Sequence, residues 1–165
     1  MIEDGDVVSV DCGAIVDGWH GDSAFSVVVG EGDPADRELV ETTEAAMWAG
    51  IAALANADRL FAVGHAVEDA VDLAFAAGKN GGQRLGIVQE YVGHGIGSAM
   101  HQPPEVLNYR TRERGPRLKA GMCLAVESML VRGDRATLVL EDDWTVVTAD
   151  GSRAAHWEHS VAITD

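Results

Sequence analysis

A carboxylate stands inside each of two apolar, β-branched runs, and this limits what the chain can become more than any other feature. Asp11 closes the run Val7-Val8-Ser9-Val10, and Glu127 closes Met122-Cys123-Leu124-Ala125-Val126. Acidic residues are poor strand formers and are rarely buried unless paired or bound to a cation. An unpaired carboxylate in such a place costs enough that it normally takes up a proton instead. The neighbouring segments hold little Lys or Arg, so a bound cation is the expected partner.

The two runs also resemble each other. Gly5-Asp6-Val7-Val8-Ser9-Val10-Asp11 is echoed by Gly121-Met122-Cys123-Leu124-Ala125-Val126-Glu127, and His20-Gly21-Asp22 by His156-Trp157-Glu158. The expectation is two β units that each contribute two acids at matching places. His94, in Gly93-His94-Gly95-Ile96-Gly97, is the natural nitrogen ligand, on what reads as a loop that leaves its ring accessible. One imidazole with several carboxylates suits divalent Mn, Fe, Co or Zn rather than a thiolate zinc site. Four carboxylates exceed what one such ion takes. Two ions roughly 3.5–4 Å apart, sharing bridging carboxylates, would use them all.

The remaining pattern is α+β. Residues 6–16 and 22–29 read as a hairpin turned at Asp17-Gly18. Asp33-Pro34 opens a helix running to about residue 55, and a second helix spans about 64–78 and ends at Gly78. His65, Glu68, Asp69 and Asp72 share one side of it, with His65 expected at the surface. Strands follow at about 85–91, 122–131, 136–140, 144–148 and 156–164, with a turn at Asp150-Gly151. A length of 165 residues fits one domain with a sizeable core. A net charge of −15 argues against a nucleic-acid or anionic-membrane partner. The acidic N-terminus has no signal pattern and no apolar run is long enough for a membrane span, so cytoplasmic residence is the expectation. Cys12 and Cys123 fit no disulfide or metal spacing.

Taken in order, the motifs become specific. Asp11 and Asp22 lie eleven residues apart; then come Gly93 to Gly97, His101 with Pro103-Pro104, Ala125-Val126-Glu127, Asp143-Trp144-Thr145-Val146-Val147-Thr148, and Trp157-Glu158-His159-Ser160. This set resembles the type I methionine aminopeptidases, M24-like metallopeptidases of the pita-bread (creatinase/aminopeptidase-like) fold. The resemblance implies a curved antiparallel sheet with helices outside. Asp11 would bind one metal, Asp22 and Glu158 would bridge two, and His94 and Glu127 would bind the other. Glu127 would also accept and donate the proton, and His101 would hydrogen-bond the scissile amide. Met100, Trp144 and His156 match positions that line the methionine pocket. The implied substrate is the N-terminal methionine of nascent chains, met close to the ribosome.

Departures from the family pattern shape the rest of the reading. The chain reads as a single partial catalytic domain, with a metal-ligand hairpin over 1–30 and a C-terminal half over 31–165. An N-terminal half carrying a further histidine has no counterpart, so uncovered sheet surface is expected to drive self-association. Ser128 stands where the family shows proline after the glutamate, which is expected to loosen the backbone at Glu127. Metal binding with weak or absent peptidase activity is therefore the expectation for the isolated chain. An Xaa-Pro peptidase of the same fold and a non-catalytic remnant or binding module are the competing readings.

Overall fold

The computed structural model describes residues 1–164. Strands β1 (Val7–Val16) and β2 (Trp19–Val28) form the first hairpin, turned through Asp17 and Gly18 at φ 51° and 83°. Helices α1 (Pro34–Leu54) and α2 (Ala62–Ala76) follow. Asp33 caps α1 by accepting from the Ala35 N–H, and proline at the first position costs no hydrogen bond there. The chain continues through β3 (Gly86–Ile87), β4 (Gly93–Gly95), β5 (Gln102–Val106), β6 (Cys123–Val131), β7 (Thr137–Val139), β8 (Val146–Thr148) and β9 (Ala154–Ala162).

Seven strands make one antiparallel sheet in the order β1-β2-β9-β6-β4-β5, and β3 pairs the same edge of β6 as β4, nearer its far end. β7 and β8 form a separate two-stranded arm. Both helices pack on one sheet face. Leu39, Met47, Val63 and Val67 from the helices meet Leu124, Val126 and Leu130 of β6 there, all fully buried. Because alternate residues of a strand point to opposite faces, Glu127 is turned away from the helices by the packing of Val126 towards them. The α+β expectation holds, and the helices lie on one side only.

The internal echo is present in the backbone. Gly5 and Gly121 each have φ 88°, a conformation glycine adopts without steric cost. Gly5 N–H donates to Val29 O at 2.8 Å, and Gly121 N–H to Ile163 O at 2.9 Å. Val29 N–H returns a bond to Asp6 O, and Ile163 N–H to Met122 O, both at 2.8 Å. The β1–β2 and β6–β9 pairs therefore start in the same register. The second half of the echo is displaced, however. Asp11 faces Ala24 while Glu127 faces Glu158, so Glu158 matches Ala24, and the true match of Asp22 is His156. The slip is by two residues, which preserves the pleat and keeps all of these side chains on one face.

Three local expectations change. The strand expected over 85–91 shrinks to Gly86–Ile87. The Gly93–Gly97 segment begins as a buried strand rather than a loop; a side chain on Gly93 would place its Cβ 2.3 Å from Ala125 O, and one on Gly95 2.4 Å from Pro103 O. Glycine is needed because neighbouring backbone lies against these residues. Finally, Glu127 and Ser128 sit inside the nine-residue strand β6, with Ser128 fully buried opposite Trp157. The expected loosening is not found, because serine continues the strand that a proline would interrupt.

Candidate metal centre

Register alone brings the acids together. Asp11 pairs with Ala24, Ala24 with Glu158, and Glu158 with Glu127, making one row across four strands. The small Ala24, 1% exposed, leaves room between Asp11 and Glu158. Asp22 is two residues from Ala24 on the same face, and His94 pairs with Ala125, two residues from Glu127. All five expected ligands thus project from the face away from the helices. Their ligand atoms form overlapping groups within 4.8 Å: Asp11 with Asp22 and Glu158, and His94 with Glu127 and Glu158. A further group joins Asp22, His94 and His101.

Burial runs unevenly across the row. Glu158 is 2% exposed, His94 8% and Glu127 9%, whereas Asp11 on the edge strand is exposed. The expectation that both strand acids are enclosed therefore holds for Glu127 only, since among the described residues no strand pairs with the outer edge of β1. Glu158 Oε1 is buried without a hydrogen-bond partner. Burial first, and then the charges of Glu127, Asp22 and Asp11, push the Glu158 carboxyl up to about 8. Among the described residues no Lys or Arg forms an ion pair with any of these acids. Four carboxylates crowded on one face, two of them buried, without a Lys or Arg partner among the described residues fit divalent ions, which would replace the proton that Glu158 otherwise retains.

The geometry of His94 suits a nitrogen ligand. Its Nδ1 lies 3.0 Å from Gly95 O, so Nδ1–H donates to that carbonyl and the Nε2 lone pair is left facing Glu127 Oε1 at 3.7 Å. Fixing one ring nitrogen in this way sets the tautomer and ring direction of a metal-ligating histidine. His101 is exposed and sets its ring edge-on to His94, with centroids 4.5 Å apart. His20 does more than turn the chain, because both its backbone N–H (2.7 Å) and its Nδ1 (3.1 Å) bond Gly97 O. It ties the tip of the first hairpin to the segment between His94 and His101.

The expected pocket residues divide. Met100 lies over Gly13, where an added Cβ would fall 2.4 Å from its Cε and 3.6 Å from Asp22 Oδ1, so it borders the acids. His156 sits on the site face with Nε2 3.4 Å from Glu127 Oε2. Trp144, at the tip of the β7–β8 arm, is 87% exposed and borders no cavity at the acids. An apolar cavity of about 180 Å³ does adjoin His156, between the sheet and the arm, and Met129, Val88, Tyr91 and Val147 line it. Sequence reading passed over Met129, although its place two residues after Glu127 puts it on the same face. A larger depression of about 790 Å³ lies at the start of α2 beside Arg59, His65 and Arg112, and none of the site acids lines it. His65 there is half-buried, with Nε2 3.1 Å from Thr111 O, rather than simply at the surface. Cys12 and Cys123 are exposed and unpaired.

Known proteins resemble this chain in sequence and fold. The chain is 51% identical over its full length to "Methionine aminopeptidase 1" of Mycobacterium tuberculosis (strain CDC 1551 / Oshkosh), covering 61% of that protein. It is 40% identical to "Methionine aminopeptidase 1" of Bacillus subtilis (strain 168), covering 63% of it. Among solved structures, the methionine aminopeptidase from Rickettsia prowazekii superposes with a TM-score of 0.89 at 33% identity, over 99% of this chain and 62% of that one. These likenesses bear out the pita-bread fold. A prolidase from Pyrococcus furiosus, at 21% identity and a TM-score of 0.64, shares the fold alone. The chain spans a little over three-fifths of the methionine aminopeptidases named here. The sequence signature of metallopeptidase family M24 matches residues 1–165, and the chain belongs to that family.

Proposed function

We propose that this chain is the metal-binding portion of a methionine aminopeptidase, removing N-terminal methionine from peptides and nascent proteins. The observation that carries the reading is the row of carboxylates on one sheet face, bounded by His94 and, among the described residues, without a Lys or Arg ion pair. Asp11, Asp22 and Glu158 would hold one divalent ion and His94, Glu127 and Glu158 the other, with Asp22 completing the bridge. Manganese, iron, cobalt and zinc all suit this donor set. Two such ions supply Lewis-acid polarisation and a water activated at neutral pH.

The chain's own residues account for the remaining chemistry. Glu127, held between two imidazoles, accepts the proton of the attacking water and hands it to the departing amine. His101, exposed over His94, donates a hydrogen bond to the scissile amide as charge develops on its oxygen. The cavity beside His156 and Met129 offers an apolar slot for an unbranched thioether side chain. Met100 borders the acids beside it. Trp144 stands on the neighbouring arm, which would have to bend inward to bring it over the slot.

An Xaa-Pro peptidase is the weaker reading, because prolidases resemble this chain in fold but at far lower identity. The test is cleavage of Met-Ala-Ser beside an Xaa-Pro peptide with added manganese or cobalt. Metal-dependent release of methionine alone supports the proposal, even if slow for the isolated chain. Proline-peptide cleavage, or no metal binding, defeats it. Among the described residues no helix is long and apolar enough to cross a membrane; the proposed setting is the cytoplasm, near the ribosome. Val10, Ile15, Val16, Trp19, Phe25 and Val27 of the first hairpin are exposed, which supports self-association of the isolated chain. A concentration-independent monomer in sedimentation would refute that part.

A further inference from the structure

We propose that His156 is a positioning residue for Glu127, holding the outer carboxylate oxygen so that the inner one stays turned to His94 and the metal centre. The proposal rests on the metal-centre reading above. Glu127 lies between two imidazoles, with Oε1 3.7 Å from His94 Nε2 and Oε2 3.4 Å from His156 Nε2. His156 Nε2 is fully buried and has no hydrogen-bond partner. A buried N–H without a partner costs on the order of 1–3 kcal/mol, and Glu127 Oε2 is the acceptor it faces. The gap is just beyond a well-formed N–H···O bond of roughly 2.7–3.2 Å, and a small rotation of either side chain closes it.

The position is fixed from below. The hydroxyl of Ser26 accepts from His156 N–H and also lies 2.8 Å from His156 O, and Ser26 is itself 2.8 Å from the Ser9 hydroxyl. The first hairpin thus sets where the imidazole stands. Internal symmetry points the same way: His156 occupies in the β6–β9 pair the place that Asp22, a ligand, occupies in the β1–β2 pair. Among the described residues, His156 belongs to none of the groups that could hold an ion. Its reach is therefore to the ligand and not to the metal, the arrangement in which an outer hydrogen bond aims a coordinating carboxylate.

The test is calorimetric titration of the metal-free full chain with Mn²⁺ and Co²⁺, for wild type, His156→Ala and His156→Gln. Visible absorption of the cobalt-loaded proteins is read alongside. The alanine variant should weaken the ion that uses Glu127 by about 10–100-fold, alter the cobalt spectrum and leave the other ion's affinity unchanged. Glutamine, whose amide N–H reaches the same oxygen, should restore most of the affinity. Alanine matching wild type at both ions overturns the proposal, as does an equal loss at both or no rescue by glutamine. A His156 that merely lines the apolar slot would give the first of these results. If the alanine variant is unfolded in circular dichroism, the comparison passes to His156→Gln against His156→Leu, where only leucine should lose the affinity. Wild type binding neither ion would defeat the metal centre itself and the proposal with it.

Discussion

The β1–β2 and β6–β9 pairs begin with the same glycine turn and the same returning hydrogen bond, yet they differ in what surrounds them. β6 is buried along most of its length beneath α1, with neighbours on both sides. β1 is an edge strand with most of its residues exposed. One backbone design thus supports two environments. Glu127 on the enclosed pair is nearly buried, while its counterpart Asp11 at the edge is exposed. The comparison teaches that local strand pattern specifies the pleat, whereas packing decides what a carboxylate on it costs.

The largest expected difference between the pairs is in stability. Leu124→Ala under the helices should cost about 2–5 kcal/mol, while Val10→Ala at the edge should stay within about 0.5 kcal/mol. Urea midpoints measure both, and equal losses would mean that β1 is covered in solution. Metal affinity comes next. Glu158 joins two of the ligand groups and Asp11 only one. Glu158→Gln should weaken both ions by more than about 100-fold, or about 2.7 kcal/mol, and Asp11→Asn should weaken one. Calorimetry that shows Asp11→Asn removing both would contradict the division of ligands.

A smaller effect separates the pairs by pH. In the metal-free fold Glu158 retains its proton to about pH 8, against 4.5 for an ordinary glutamate. Between those values the folded chain holds a proton that the unfolded chain has lost. This contribution is complete below about pH 4.5 and is lost as the pH rises through 8. The stability of the metal-free chain should therefore fall as the pH rises across that window. Excess Mn²⁺ should abolish or reverse the slope, since the ion binds the ionised form. A pH-independent stability without metal, or the same slope in Glu158→Gln, would contradict the burial argument. The smallest effect tests the likeness itself. Gly5→Ala and Gly121→Ala should each cost about 1 kcal/mol through the same positive φ, and clearly unequal melting shifts would break the equivalence.

Much of this was legible in the residues. The Asp17-Gly18 turn marks the hairpin, Asp33-Pro34 and Gly78 mark the helices, and the acids inside β runs with His94 among glycines mark the five residues that the fold groups on one face. What could not be read was set by pairing between distant segments. His94 belongs to a strand because Ala125 lies opposite, and no pattern within Gly93–Gly97 reveals that neighbour. The slip between Asp22 and Glu158 stayed hidden because both sit beside a histidine in similar triplets, while only ladder register separates them. Asp11 was misjudged for the same reason, since its own run does not say that β1 is the last strand.

The clasp of His20 on Gly97 has a consequence for motion. β2 meets β9 through a ladder of only two residue pairs, Ser23 with His159 and Ala24 with Glu158, and the rest of that seam is held by side-chain bonds from Ser26 and Ser160. Opening there would separate Asp11 and Asp22 from Glu158 and free the segment between His94 and His101 in one event. Amide exchange in β1 and β2 should therefore be fast in the metal-free chain and slow sharply on loading. The ion would then act as a latch, joining a swinging arm to a rigid sheet.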